Sequence, residues 1–407
     1  MPIAETPLQL PVPDLPTGFR AAGIHAGLKR NPTREDVALF VSDAPATAAG
    51  VYTTNLVYAA PVAYDRERTP GEGFRAIVVN SGNANACTGP RGLADTEAMA
   101  AAAAERCGVA ASEVLVLSTG IIGEFLPMPT VLAGIGQAAE ALGRDQQSLV
   151  SAARGMMTTD TRPKLCGGSF AAGGRSITVA GVAKGAAMVG PRMATMLGIV
   201  LTDAPVAADD AQRLLRQACD ETFNCVSVDG HTSTNDTVLL LANAAAGGPC
   251  LEGSDLEAFG RLLEETCRTL AREIADDGEG ATHVIRIEVT GAETRDAARQ
   301  IARAVADSPL VKTAVSGADP NWGRIVSAAG YAGVPFEADR LTLHVNGTLL
   351  FTAGAPVAFD AIAVSTAIRE NRETEIRLDV GDGPGSVRFY SSDLTAEYVH
   401  LNADYHT

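Results

Sequence analysis

Threonine 195 is the residue of this sequence whose setting most favours covalent chemistry. It follows a loop that contains Gly190 and Pro191, and it precedes an apolar run, Met196 to Leu201, that predicts a buried strand. If the Ala194–Thr195 bond were cut, Thr195 would carry a free α-amine beside its own hydroxyl. Such an amine has a pKa of about 7.7–8.0, so it can activate the hydroxyl as a nucleophile. The same pattern also fits an ordinary junction between a loop and a strand.

A second candidate is the pair Thr119-Gly120, which follows a short predicted strand, Val114 to Leu117. A glycine lets a backbone N–H approach a reacting carbonyl, and the neighbouring hydroxyl adds a second donor. Together they can stabilise the oxyanion that forms during acyl transfer. A turn with a capping threonine explains the same two residues.

Two charged residues are candidates for binding a substrate. Lys184 ends a predicted strand, Ser176 to Lys184, and can neutralise a carboxylate; a solvated lysine is the plainer interpretation. Glu279 can bind an amine, or a metal ion together with Asp276 and Asp277, although these residues lack EF-hand spacing. The sequence contains no HExxH, GxSxG, P-loop or GxGxxG motif. We therefore expect neither metal nor cofactor, and chemistry performed by side chains.

These candidates need a scaffold of mixed strands and helices. Strands are predicted at 36–42, 75–80, 114–117, 176–184, 196–202, 237–243 and 283–289, and helices at 94–107, 129–142, 145–157, 207–220 and 254–275. Ser254, with Glu257 three residues later, is predicted to cap the last of these helices. From about Gly291 the pattern restarts as a smaller α/β domain that extends to residue 407. We expect stacked sheets covered by helices.

Composition excludes several classes of protein. The 407 residues carry a net charge of −16, from 32 basic and 48 acidic residues, and no basic run favours nucleic acid as a partner. Seven cysteines without metal-binding spacing are typical of reduced, mostly buried thiols in a cytoplasmic protein. We expect no signal peptide, since no basic start precedes an apolar segment, and no membrane span, since no apolar run reaches about 18 residues.

Eight sequence blocks resemble the ornithine acetyltransferase (glutamate N-acetyltransferase) family of arginine biosynthesis. They occur in the family's order over nearly the whole length, starting from Gly18-Phe19-Arg20. The blocks are NSGNANACTG (80–89), STGIIGEFLPM (118–128), TTDTRPK (158–164), the stretch 183–198 around Thr195, TSTNDTV (232–238), DGEGAT (277–282), DPNWGRI (319–325) and NADYHT (402–407).

This resemblance implies self-cleavage between Ala194 and Thr195, which gives an α chain of residues 1–194 and a β chain of residues 195–407. It implies an α+β fold, an αββα sandwich resembling N-terminal-nucleophile hydrolases with its own strand connectivity, and an α2β2 heterotetramer. It also assigns roles to residues of this sequence. The oxyanion hole is Thr119 and Gly120, the nucleophile is Thr195, and the substrate pocket is Thr158, Lys184, Thr195, Glu279, Asn402 and Thr407.

The reaction implied is a ping-pong transfer of acetyl from N2-acetylornithine to glutamate through acetyl-Thr195. Some members of the family also use acetyl-CoA as the donor. This sequence has Arg192, His231 and His283 where the family usually has Asn, Asp and Lys. The alternatives are therefore a specialised paralogue that acts on another acyl-amino acid, an amide hydrolase or aminopeptidase on the same nucleophile, and an uncleaved binding protein.

Overall fold

A computed structural model describes residues 11–190 and 196–404 of the chain, with side chains to residue 403. Its first sheet has eight strands in the described residues, in the order β4-β3-β2-β9-β7-β6-β5, with β1 paired to the beginning of β2. Its strands are β1 (Phe19–Ile24), β2 (Val37–Tyr52), β3 (Gly71–Asn83), β4 (Val114–Ile121), β5 (Lys164–Ala172), β6 (Arg175–Lys184), β7 (Leu197–Thr202) and β9 (Thr237–Ala242). The short strand β8 (Val226–Ser227) lies between β7 and β9 in the sequence but belongs to the second sheet.

The second sheet has seven strands in the same described part, in the order β13-β12-β11-β14-β10-β15-β8. Apart from β8, it is built from the chain from Val284 onward. Its further strands are β10 (Val284–Gly291), β11 (Thr342–Val345), β12 (Thr348–Thr352), β13 (Ala355–Pro356), β14 (Glu373–Asp379) and β15 (Gly383–Ser392).

Helices lie against both sheets, which confirms the expected α+β class. They are α1 (Ala60–Arg66), α2 (Gly89–Cys107), α3 (Met128–Glu140), α4 (Gln146–Met156), α5 (Ala208–Glu221), α6 (Gly253–Asp276), α7 (Arg295–Ala306), α8 (Pro309–Ser316), α9 (Trp322–Gly330), α10 (Ala361–Glu370) and α11 (Ala396–Asp404). Helix α4 packs on one face of the first sheet, while α5 and α6 pack on the other. Helices α7 to α10 share a separate core with the second sheet.

Helix α6 connects the two sheets. Its buried side chains recur at helical spacing, at Phe259, Leu263, Cys267, Leu270 and Ile274. They join one apolar core with strands of the first sheet and with the near ends of β10 and β15. The loop that follows α6 is thereby held beside the ends of β5 and β6.

The predicted cap of this helix is wrong. Helix α6 begins at Gly253, and its N-cap is Glu252, whose side chain makes no capping hydrogen bond. Ser254 therefore lies inside the first turn.

Among the described residues, no helix combines the length and the apolar character that crossing a membrane requires.

Candidate active site

Thr119 and Gly120 lie at the end of β4, where the strand meets the end of β3. Gly120 is opposite Gly82 in the pairing of these two strands, and its φ of +135° is unfavourable for residues with a side chain. A Cβ on Gly120 would lie 2.3 Å from the carbonyl carbon of Gly82. Only glycine fits at this position, and the neighbouring Thr119 is buried.

Lys184 ends β6 and is also buried, with 1 % of its surface exposed. Its Nζ donates a hydrogen bond to Oγ1 of Thr119 at 3.2 Å. Burial lowers the pKa of the Lys184 ammonium, and the nearby carboxylate of Asp160 opposes that change. Lys184 also pairs with Leu197 of β7, so it lies across from a residue two positions after Thr195.

The beginning of β7 is fixed by a buried acid. The N–H of Met196 donates to Oδ1 of Asp236 at 2.8 Å. Burial raises the pKa of Asp236 well above its usual range. The preceding residue, Asn235, donates to the carbonyl of Ala84 at 2.6 Å and to that of Ser118 at 2.8 Å. The loop before β9 therefore joins the start of β7 to the ends of β3 and β4.

The loop between α4 and β5 contributes Thr158, whose N–H donates to Oδ2 of Asp160 at 2.9 Å. The other carboxylate oxygen of Asp160 accepts the N–H of Gly185 at 2.7 Å and the ammonium of Lys164 at 2.6 Å. This one carboxylate connects the loop to the residue that follows Lys184.

Glu279 and Asn402 meet on another side of the same region. The N–H of Glu279 donates to the carbonyl of Ala186 at 2.8 Å. Its Oε2 accepts a hydrogen bond from Nδ2 of Asn402, on helix α11, at 2.8 Å. Both residues are thereby placed close to the segment that follows Lys184.

The acidic residues beside Glu279 have cations as partners. Asp276 binds Arg162 at 2.6 Å and Arg372 at 2.7 Å, and Asp277 binds Lys164 at 2.5 Å. Their oxygens therefore belong to a buried ion network, and the alternative of Glu279 sharing a metal with them finds no support here.

Six of the predicted site residues lie in the described part of the chain; Gly120 adjoins Thr119, and the other five make hydrogen bonds within this region. Thr119 contacts Lys184 and Glu279 contacts Asn402, whereas Thr158 is linked through Asp160. The remaining predicted residues, Ala194, Thr195 and Thr407, lie outside the described residues, as does Arg192.

Sequence reasoning missed Asp160, Lys164 and Asp236 as parts of this region. Asp160 and Lys164 stand in the block TTDTRPK, four residues apart and with opposite charges. Asp236 immediately precedes a continuous apolar run. An acid at the boundary of a predicted buried strand was the available signal for Asp236, whereas Asp160 and Lys164 offered only their opposite charges at a spacing of four residues.

Comparisons with known proteins assign the chain to a family. The ArgJ family profile matches residues 20–407. "Arginine biosynthesis bifunctional protein ArgJ" of Geobacter sulfurreducens is 48% identical over 392 residues, which cover 96% of this chain and 99% of that protein. The protein of the same name from Rhodopirellula baltica is 44% identical over 396 residues, which cover 97% and 96%.

A solved structure agrees with these relatives. The crystal structure of arginine biosynthesis bifunctional protein argJ from Bacillus halodurans is 36% identical, with a TM-score of 0.50. The match covers 51% of this chain and 98% of that chain. With a profile match over nearly the full length and relatives above 40% identity, this chain belongs to the ArgJ family.

Proposed function

We propose that this protein is an acetyltransferase that moves acetyl from N2-acetylornithine to glutamate, giving ornithine and N-acetylglutamate in arginine biosynthesis. The observation that carries the proposal is the contact between the buried Lys184 ammonium and the hydroxyl of Thr119, at 3.2 Å. In the pairing of β6 with β7, Lys184 lies opposite Leu197, which is two residues after Thr195 in the sequence. The names of the relatives support the pathway.

The nucleophile is generated by self-cleavage. The hydroxyl of Thr195 attacks the carbonyl of Ala194, the peptide becomes an ester, and water hydrolyses it. The products are an α chain of residues 1–194 and a β chain of residues 195–407. The α-amine released on Thr195 is then the base for its own hydroxyl.

Turnover follows a ping-pong cycle. The amine of Thr195 takes the hydroxyl proton as the oxygen attacks the N-acetyl carbonyl, and donors at Thr119 and Gly120 bind the oxyanion. Ornithine leaves with the proton, and acetyl-Thr195 remains as an ester. The amine of glutamate attacks that ester, which releases N-acetylglutamate and restores the hydroxyl.

The pocket must hold an α-carboxylate in both half-reactions. Lys184 is a suitable partner, because an ion pair is stronger in a buried site than in water. Thr158, Glu279 and Asn402 lie around it, and Thr407 is proposed to complete the pocket. Neither metal nor cofactor takes part in the proposed cycle.

Cleavage is proposed to leave the two chains associated. Residues 179–184 of β6, in the α chain, pair with the whole of β7, in the β chain, and both strands contribute to the same apolar cores. The solved Bacillus halodurans chain is covered almost completely by about half of this chain, which supports two products of similar length. We propose an α2β2 assembly of these products.

Within the β chain, residues from about 291 to 407 are proposed as a smaller unit, supported by the separate core of α7 to α10 and the second sheet.

A cytoplasmic location is proposed as well. Its support is that all seven cysteines are free, four of them buried, as in a reducing compartment. Cys87 and Cys250 are exposed, so the expectation of buried thiols holds for only part of the set.

Denaturing mass spectrometry of the purified protein tests the proposal. We expect two chains that meet at Ala194/Thr195, one added acetyl on the β chain after incubation with N2-acetylornithine, and loss of that acetyl on adding glutamate. A Thr195→Ala variant should stay uncut and unacetylated. A second loading with acetyl-CoA shows whether that donor is used.

The competing functions give other results. An intact wild-type chain without acetylation points to a binding protein. Loss of acetyl at the same rate with and without an amine acceptor points to a hydrolase. Loading by another acyl-amino acid in preference to N2-acetylornithine points to a specialised paralogue.

A further inference from the structure

The carboxylate of Asp160 is completely buried among the segments that form the candidate active site. Its Oδ2 accepts the N–H of Thr158, and its Oδ1 accepts the N–H of Gly185, at 2.9 and 2.7 Å. Its own carbonyl accepts a hydrogen bond from Arg34 at 2.8 Å. Asp160 thus fixes the backbone beside two predicted substrate contacts, Thr158 and Lys184.

A third segment is joined through Lys164. The Lys164 ammonium binds Oδ1 of Asp160 at 2.6 Å and Oδ2 of Asp277 at 2.5 Å. Asp277 stands two residues before Glu279, whose N–H donates to the carbonyl of Ala186. The loop that carries Glu279 is therefore connected to the same carboxylate.

Opposite charges strengthen the hydrogen bonds of Asp160. Burial opposes ionisation of Asp160, but the ammonium groups of Lys164 and Lys184 outweigh it and hold the pKa of Asp160 well below its usual range. In turn, the charge of Asp160 is the largest influence that opposes the lowering of the Lys184 pKa by burial. Hydrogen bonds to a charged group are about twice as strong as neutral ones.

We propose that Asp160 is the positioning residue of this site, whose carboxylate holds Thr158, Lys184 and the Glu279 loop in one arrangement around the substrate. The proposal rests on the proposed acetyl transfer, in which those three side chains contact substrate. Asp160 acts through them, because its oxygens are occupied by protein donors. Its charge also keeps Lys184 protonated for binding of a carboxylate.

The test compares two isosteric changes of buried carboxylates in the full chain. Asp160→Asn removes the charge from the centre of the site. Glu273→Gln removes a charge from the same ion network, where the Glu273 side chain binds Arg162 at 2.9 Å and Arg272 at 3.2 Å. Both variants weaken the network, and only the first alters contacts of the proposed pocket. For each, kcat/KM of β-chain acetylation by N2-acetylornithine is measured against pH, beside urea unfolding.

The pH profile reports on Lys184. The ionisable groups that face its ammonium are Asp160, Lys164, Asp236, Glu279 and, from the loop after β1, Lys29. Without the Asp160 charge, the pKa of Lys184 falls further, so the decline of kcat/KM at high pH begins at a lower pH. Glu273 is not among these groups, and its variant should leave that decline in place.

We expect Asp160→Asn to lower kcat/KM about 100-fold, as for a misplacement of about 1 Å, and to shift the alkaline decline, while Glu273→Gln does neither. The proposal is overturned if the two variants lose activity in parallel with their loss of stability, or if Asp160→Asn keeps the wild-type profile.

Asp160→Glu provides a second route if the asparagine variant does not fold. It keeps the charge and moves it by one methylene, so the alkaline decline should stay while kcat/KM falls about tenfold or more. Wild-type kcat/KM in this variant would overturn the positioning role. A wild-type enzyme that is not acetylated at all would instead remove the proposed function, so the two failures are distinct.

Discussion

Replacement of Gly120 by alanine is the sharpest test of the geometry at the end of β4. The new Cβ would lie 2.3 Å from the carbonyl carbon of Gly82 and 2.4 Å from the nitrogen of Asn83. Both neighbours are backbone atoms of a paired strand, so neither can rotate away. The φ of +135° adds a conformational cost for any residue with a side chain.

The expected loss of free energy of unfolding is the sum of these steric and conformational contributions. An unfavourable backbone conformation costs about 1–3 kcal/mol, and forcing extra volume into a packed region costs about 1–3 kcal/mol more. We therefore expect Gly120→Ala to lower the free energy of unfolding by about 2–6 kcal/mol. Displacement of the proposed oxyanion donors should also reduce the acetylation rate, by about 10²–10³-fold for one lost donor.

Gly123 is the matched control, three residues further along the chain. Its φ is +86°, and a Cβ there would meet no atom within 4 Å. Gly123→Ala therefore carries only the conformational cost, about 1–2 kcal/mol. Urea unfolding followed by far-ultraviolet circular dichroism measures both variants. Equal destabilisation by the two substitutions would refute the steric argument, and a wild-type acetylation rate in Gly120→Ala would refute the placement of the oxyanion hole.

Three further predictions concern buried ionisable groups. Lys164→Met should lower the free energy of unfolding by about 3–5 kcal/mol, because two buried carboxylates lose their cation; the exposed Arg261→Ala should change it by less than about 0.5 kcal/mol in the same urea assay. Burial lowers the pKa of Lys312 to about 8, so the unfolded chain binds this proton more tightly than the folded chain does. The free energy of unfolding of the wild type, relative to that of Lys312→Met, should therefore rise between about pH 8 and pH 10.5, by about 3 kcal/mol in total. A pH-independent difference would contradict this. Asp236→Ala should slow the proposed self-cleavage, since the N–H of Met196 loses its acceptor; intact chain should accumulate by mass spectrometry, and complete cleavage at the wild-type rate would argue against it.

Much of the scaffold was predictable, because its strands are continuous apolar runs with polar or glycine boundaries. The strand predicted at 176–184 is β6 (Arg175–Lys184), and the one predicted at 237–243 is β9 (Thr237–Ala242). Helix boundaries were less accurate. Helix α2 begins at Gly89, five residues before the predicted start, because Pro90 is tolerated in its first turn.

Elements without a strong apolar period were missed. Helices α8 and α9 lie in a stretch with proline, glycine and mixed polarity, where local sequence favours turns. They form because Val311, Val315 and Ile325 pack into the core of the second sheet. Tertiary packing, which no local window contains, decides their structure.

The connections of the candidate site were unpredictable for the same reason. Lys164 and Asp277 are 113 residues apart in sequence, and Lys184 and Thr119 are 65 apart. Each looks like a solvated charge or a turn residue when its neighbours alone are considered. The resemblance to a family supplied the proposed pocket residues but gave no role to Asp160, whose carboxylate binds the N–H groups of Thr158 and Gly185.

The stretch around Thr195 shows what the structure adds to the original motif. Upstream of it, the carbonyl of Val189 accepts the N–H groups of residues 228–230 at 2.8 to 3.2 Å, and Asp229 accepts the N–H of Met188 at 2.6 Å. Downstream, Met196 is bound by Asp236. One short segment, residues 228–236, therefore holds Met188 and Val189 on one side and Met196 on the other. Because these hydrogen bonds fix the positions of Val189 and Met196, we expect substitutions in residues 228–236 to change the rate of the proposed cleavage as much as substitutions beside the bond.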